Sequence, residues 1–188
     1  MPFLRRIYDE AREEDRPILR KPAKKMPLEE LRDPLTQQLI DDMFLTMYNA
    51  PGIGLAAPQV GISRRLAVVD LQDGEPEHGP LVIVNPRYLQ TEGQRETTEG
   101  CLSVPGMVGE LDRFERVVIS GLDRHGDKLQ IDAEGWFAVC LQHEIDHLDG
   151  VLYIDKARNI RPAMTPEEIE AAEAAQAEGA PAAVEQTA

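Results

Sequence analysis

His143, Glu144 and His147 are the residues of this chain whose types and spacing best suit chemistry. The two histidines stand four apart, so a helix would carry both imidazoles on one face, where they can grip a single cation. Glu144 sits beside that pair, placed to handle the protons of a hydrolytic water. The run from Gln142 to Leu148 therefore carries the H-E-x-x-H pattern of metal-assisted hydrolysis. Two ligands leave such a site incomplete, and the third decides the chemistry.

The remaining nitrogen and sulfur donors are His78, His125, Cys101 and Cys140. His125 falls in a hairpin turn and His78 in a Pro/Gly-rich loop, and both read as surface residues. Cys140 shares the helix face of His143. A metal between His143 and His147 lies downstream of it, however, and three ligands on one straight helix do not converge on a tetrahedral centre. Cys140 reads instead as a packed thiol lining a pocket beside the metal. Cys101 comes from another element and is flanked by Gly100 for close approach. Alone it would pass for a buried strand cysteine; with two helical histidines awaiting a partner it becomes the favoured third ligand. Zinc peptidases stay open at this point. One class needs a histidine where Tyr153 stands, and another uses a downstream glutamate, for which Glu167 or Glu168 qualifies by counting alone.

The elements that must hold these residues follow from local patterns. Asp33 before Pro34 is a helix start, and Leu35, Leu39, Met43 and Met47, flanked by Ile40 and Phe44, form one apolar stripe ending before Pro51-Gly52. The run Gly52 to Gly61 contains G-x-G-x-x-A but follows a helix and is interrupted by Pro58, so it does not bind a dinucleotide. Its glycines suit close approach of a backbone or ligand. Leu66 to Leu71 and Leu81 to Asn85 are β-rich, with an Asp73-Gly74 turn between them. Phe114 to Leu122 and Lys128 to Ala133 form a hairpin, Gly135 to Asp149 is the metal-binding helix closed by Gly150, and Val151 to Ile154 is expected as a final strand. Pro17 to Arg20 is expected to lie extended on the surface.

At 188 residues the chain suits a single domain. With 42% hydrophobic and 29% charged residues and no long apolar run, it reads as a soluble protein without a membrane span, and its acidic N-terminal stretch is unlike a transit peptide. A cytoplasmic location is expected, and two cysteines make no disulfide framework. The net charge of −14 argues against direct nucleic-acid binding and against an electrostatic membrane patch. We divide the chain into a catalytic domain, residues 1–161, and an acidic Ala/Glu-rich tail, residues 162–188, expected to be solvated and partly helical or disordered. The tail has six glutamates and no Lys or Arg.

Three motifs in this order, Gly52-Ile53-Gly54-Leu55-Ala56-Ala57-Pro58-Gln59, Glu99-Gly100-Cys101-Leu102-Ser103 and Gln142-His143-Glu144-Ile145-Asp146-His147-Leu148, resemble the peptide deformylase family. The resemblance runs from about Pro17 to Ile154. It implies an α+β fold with small antiparallel sheets around the helix of His143 and His147, preceded by the amphipathic helix. It also implies removal of the formyl group from N-formyl-methionine on new polypeptides. The metal ligands would be Cys101, His143 and His147, holding one divalent ion, ferrous iron or else zinc. Glu144 would carry the proton, while Gln59 and the N–H of Leu102 would bind the oxyanion. By the same resemblance, Ile53 and Gly54 run beside the substrate backbone as an added strand.

Helix spacing then suggests a methionine pocket of Ile53, Trp136, Val139 and Cys140, since 136, 139 and 140 precede His143 on one side of the helix. Glu99 and Arg113 either brace the cysteine strand as a pair or are separately solvated. Two departures stand out. The stretch between Ile7 and Pro17 is longer than the family pattern and has no functional reading. The acidic tail cannot neutralise RNA phosphates, so any transient ribosome contact would not use it. A non-catalytic metal-binding protein remains an alternative that turnover would exclude.

Overall fold

The computed structural model describes residues 1–164 and residue 168; most of the acidic tail, including Glu167, lies outside the described residues. Two antiparallel sheets organise the chain. Strands β1 (Gly54–Ala56), β2 (Leu66–Val69), β3 (Leu81–Glu92), β6 (Arg116–Leu122) and β7 (Lys128–Glu134) form the larger one in the order β1-β2-β3-β6-β7. Strands β4 (Arg95–Cys101), β5 (Val104–Arg113) and β8 (Arg158–Pro162) form the smaller one in the order β4-β5-β8. Strands β1 and β4 are thus both outermost, and the candidate site lies between them.

Helix α3 (Pro34–Asn49) starts as its sequence dictates, with the Asp33 carboxylate accepting from the Leu35 N–H at 2.8 Å and Pro34 in the first turn. Ile40, Met43 and Met47 are fully buried, each contributing about 1.5–3 kcal/mol of burial. Leu35 is a correction to the expected stripe: it is 79% exposed and lies outside the core cluster, which α3 enters only from Leu39 onward. Helix α4 (Gly135–Leu148) packs on the opposite face. Strand β2 explains why its sequence is apolar without alternation. Leu66 and Val68 join the cluster of α3, while Val69 packs with Ala138, Leu141 and Ile145 of α4. The architecture is α+β, with the small sheets arranged around α4.

Two local expectations need correcting. Pro17 to Arg20 is not extended: Arg16–Leu19 forms one helical turn, α1, with proline at its start and Leu19 fully buried. Val151 to Ile154 is not a strand either. Leu152 precedes a 3-10 turn, Tyr153–Asp155, in which the Asp155 carboxylate accepts from the Leu152 N–H at 2.9 Å. Among the described residues the last strand is β8, whose pairing with β5 continues to a bond from the Ala163 N–H to the Gly106 carbonyl at 2.8 Å. A further short helix, α2 (Leu28–Leu31), precedes α3. Among the described residues no helix is long and apolar enough to cross a membrane.

Candidate metal centre

Helix α4 turns two faces to different tasks. Phe137, Ala138, Leu141 and Ile145 pack on the sheet, which fixes the helix rotation and leaves Trp136, Val139, Cys140, His143 and His147 facing the gap between β1 and β4. Cys101 reaches that gap from the end of β4, where the register with β5 shifts between Gly100 and Cys101. Its Sγ lies 3.2 Å from Nε2 of His147, which in turn lies 3.2 Å from Nε2 of His143. All three donor atoms fall within 4.8 Å of one another.

This trio fits a cation. Ligand bonds of about 2.0–2.3 Å around a tetrahedral ion separate the donors by roughly 3.3–3.6 Å. His147 is 1% exposed, and burial, followed by the neighbouring His143, holds its imidazole well below the ordinary histidine range, in the neutral form that offers a lone pair. Burial alone would do the same to His143, but hydrogen bonds to Cys101 and Glu99 raise it well above that range. The negative charge that retains a proton on His143 is the charge that would attract a metal.

A buried ion-pair network orients the trio. Nδ1 of His143 lies 2.8 Å from Oε2 of Glu99, and both Glu99 oxygens accept from Arg113, at 2.7 and 2.8 Å. Burial works against the charge on Glu99, yet Arg113 and His143 overcome it and hold the carboxyl at about 2. Arg113 also donates to Asp146 at 2.6 Å, on the helix that carries both histidines. Glu99 and Arg113 therefore pair, and the pair locks strand to helix as well as bracing the cysteine. Sequence reasoning had named the pair but missed its contact with His143 and the part of Asp146.

Glu144 lies beside these ligands, 4% exposed, and its Oε2 has no hydrogen-bond partner among the described residues. Burial pushes its carboxyl up to about 7. Gln59, in the 3-10 turn Ala57–Val60, is held by its Oε1, which accepts from the Ala56 N–H at 2.8 Å. Its Nε2 points toward Cys101 Sγ at 3.5 Å and Ser103 Oγ at 3.2 Å. Leu102 follows the cysteine, with its side chain packed toward the α3 cluster. Ser103, fully buried, also sends its N–H to Cys101 Sγ at 3.4 Å. Sequence reasoning quoted Ser103 within its motif but gave it no role.

A cavity of about 370 Å³ adjoins the donors, lined by Ile53, Gly54, Trp136, Val139 and Cys140 together with residues 98–100 of β4. Val139 is 2% exposed and Trp136 44%, so the tryptophan stands at the rim. The Cys140 thiol donates to the Ile53 carbonyl at 3.6 Å rather than turning to the histidines. His78 and His125 take no part. His78 pairs with Asp73 at 2.7 Å and packs its ring tilted against Phe137, and His125 is exposed. Tyr153 is no stand-in ligand, because its hydroxyl donates to the Met107 carbonyl at 2.9 Å.

A cysteine sulfur and two imidazoles beside a buried carboxylate, next to a largely apolar cavity, define a metal-dependent hydrolase. The family model of polypeptide deformylase matches residues 10–163. A peptide deformylase of Symbiobacterium thermophilum is 53% identical over 161 residues, 85% of this chain and 71% of that protein. One from Xylella fastidiosa strain M12 is 46% identical over 154 residues, 82% and 89% respectively. The crystal structure of a peptide deformylase from Legionella pneumophila has a TM-score of 0.73 at 39% identity, covering 95% of this chain and all 100% of that one. One from Thermotoga maritima gives 0.74 at 36%, with 83% and 99% covered. The chain belongs to the polypeptide deformylase family.

Proposed function

We propose that this chain hydrolyses the formyl group from the N-terminal methionine of newly made polypeptides, releasing formate and a free amine. The observation that carries this reading is the convergence of Cys101, His143 and His147 beside Glu144 at one end of the apolar cavity. Cys101, His143 and His147 would hold a divalent ion, ferrous iron or alternatively zinc, which would supply Lewis-acid polarisation and lower the pKa of water toward about 7.

The chain's own groups do the rest. Ile53, Trp136, Val139 and Cys140 take the methionine side chain, and the outer edge of β1 at Ile53 and Gly54 aligns the peptide backbone as an added strand. Nε2 of Gln59 and the N–H of Leu102 receive the oxyanion, a contact whose loss typically costs about a hundredfold or more. Glu144 removes the proton from the hydrolytic water and returns it to the departing amine. Its raised pKa suits that exchange near neutral pH.

The partners in this reading are N-formyl-methionyl nascent peptides in the cytoplasm. Any transient ribosome contact avoids the acidic tail; a tail-deleted protein with lost ribosome affinity would overturn that. The absence of an apolar membrane-length helix among the described residues, with the net charge of −14, supports neither a membrane nor a direct nucleic-acid partner.

Turnover of formyl-Met peptides by anaerobically iron-loaded protein tests the function, with Glu144→Ala and Cys101→Ser alongside. Glu144→Ala is expected to keep its metal and lose about 10²–10⁴-fold in kcat. Cys101→Ser is expected to lose metal. Undiminished turnover in the first variant overturns the role of Glu144, and undiminished metal content in the second restores the peptidase reading.

A further inference from the structure

The N-terminal arm runs against the back of the oxyanion residues. The Tyr8 N–H donates to the Gln59 carbonyl at 2.7 Å, and the Glu10 N–H donates to the Ser103 carbonyl at 2.9 Å. Tyr8 and Glu10 thus both turn their amides to carbonyls beside the candidate site. Asp9 between them faces the other way and donates its N–H to Oδ2 of Asp15 at 2.9 Å. Arg6 closes the loop, with Nη1 and Nη2 at 2.8 and 2.5 Å from the two Asp15 oxygens. Asp15 is fully buried, and the Arg6 guanidinium also stacks over the Tyr8 ring at 4.3 Å.

The far end of the arm is equally fixed. The Phe3 N–H and the Arg5 guanidinium bind the buried Asp42 carboxylate, and the Arg5 N–H reaches Thr46 Oγ1 at 2.9 Å, both on α3. The Tyr8 ring lies against Gly61, where an added Cβ would stand 2.6 Å from the Tyr8 Cζ. The arm thus meets the turn Ala57–Val60 on its carbonyl side while the Gln59 side chain faces Cys101 on the other.

We propose that the Arg6–Asp15 pair is a positioning element for the oxyanion pocket: it closes the loop of residues 6–15, so that Tyr8 and Glu10 fix the backbones of Gln59 and Ser103. This rests on the oxyanion role given to Gln59 above. Asp15 touches no reacting atom; its effect is transmitted through the carbonyl of Gln59. An amide donor that drifts by a fraction of an ångström binds substrate as before and stabilises the transition state less. The stretch between Ile7 and Pro17 forms the loop that brings Asp15 back to Arg6.

The test is a cycle of Asp15→Asn and Gln59→Ala in metal-loaded protein, with Arg6→Gln, at a half-exposed arginine, as the milder variant should Asp15→Asn not fold. Asp15→Asn is expected to lower kcat on a formyl-Met tripeptide about tenfold, leaving KM within twofold and metal content unchanged. In the Gln59→Ala background it is expected to add nothing. Independently of activity, hydrogen exchange at the Tyr8 and Glu10 amides should speed up at least tenfold in the variant, metal-loaded or metal-free. Folded Asp15→Asn or Arg6→Gln protein with kcat within twofold of the parent, or with the same loss in both backgrounds, overturns the proposal. Gln59→Ala with unchanged kcat would overturn the oxyanion role itself, and the positioning claim with it.

Discussion

A Cβ built on Gly54 would stand 2.8 Å from the carboxyl carbon of Glu144. The glycine therefore leaves room for the Glu144 carboxyl, the proposed proton carrier. Gly54→Ala should displace Glu144 from its buried seat, since no carbon pair tolerates that separation. We expect kcat/KM to fall by about 10²-fold or more, within the range ascribed to positioned acid–base groups, with metal content unchanged. Steady-state kinetics and metal analysis on one preparation check this. A variant as active as the parent would mean that Glu144 can work from another rotamer.

Arg113 is the cation that makes a buried Glu99 tolerable, and Glu99 in turn fixes the His143 ring. Removing one partner of a buried pair leaves an uncompensated charge, at a cost of about 3–5 kcal/mol. Arg113→Met should therefore lose that much stability in denaturant titration. Because groups hydrogen-bonded to metal-ligating histidines commonly control affinity by 10–100-fold, its metal dissociation constant should rise by about that factor. A loss below about 1 kcal/mol together with unchanged affinity would contradict the role given to this network.

The raised carboxyl of Glu144 makes a prediction about pH whose sign is opposite to that for most acids. Folding favours its protonated form, so the metal-free protein loses stability as pH rises from about 4.5 to about 7, and the whole penalty is present above that window. The displacement corresponds to about 3 kcal/mol. Metal-free Glu144→Gln should then melt several degrees above the parent at pH 8, at roughly 2–4 °C per kcal/mol, and show little difference at pH 4.5. A difference in melting temperature independent of pH would show that Glu144 is ionised in the fold.

Much of this site was legible in the chain because its parts are local. His143 and His147 announce themselves by helical spacing, and Asp33-Pro34 marks the start of α3 by capping alone. Cys101 was reachable by elimination, there being few sulfur and nitrogen donors to choose from. What resisted was tertiary. Neither Asp15 nor Asp146 differs by pattern from the solvated acids around it, and each gains its place only when Arg6 or Arg113 folds onto it. Tyr153 illustrates the same limit: β-rich composition predicted a strand, but the Asp155 carboxylate and the Met107 carbonyl drew the segment into a turn.

Val139 offers a test of specificity that does not touch the metal. It is 2% exposed, one helical turn before His143, and lines the cavity with Ile53 and Cys140. A tryptophan at this position would push an indole into the cavity beside Ile53 and Cys140, narrowing it where the methionine side chain is proposed to lie. Because Val139 lines the cavity and is not one of the three donors, the hydrolytic groups should stay in place. Val139→Trp is therefore expected to lower kcat/KM for formyl-Met peptides about 10²-fold while changing that for formyl-Ala peptides by less than about threefold; one extra methylene alone discriminates by roughly 10-fold or more. Competition between the two peptides in one reaction, read by formate release and peptide mass, measures the ratio directly. An unchanged preference for formyl-Met would place the methionine side chain elsewhere and remove Val139 from the pocket.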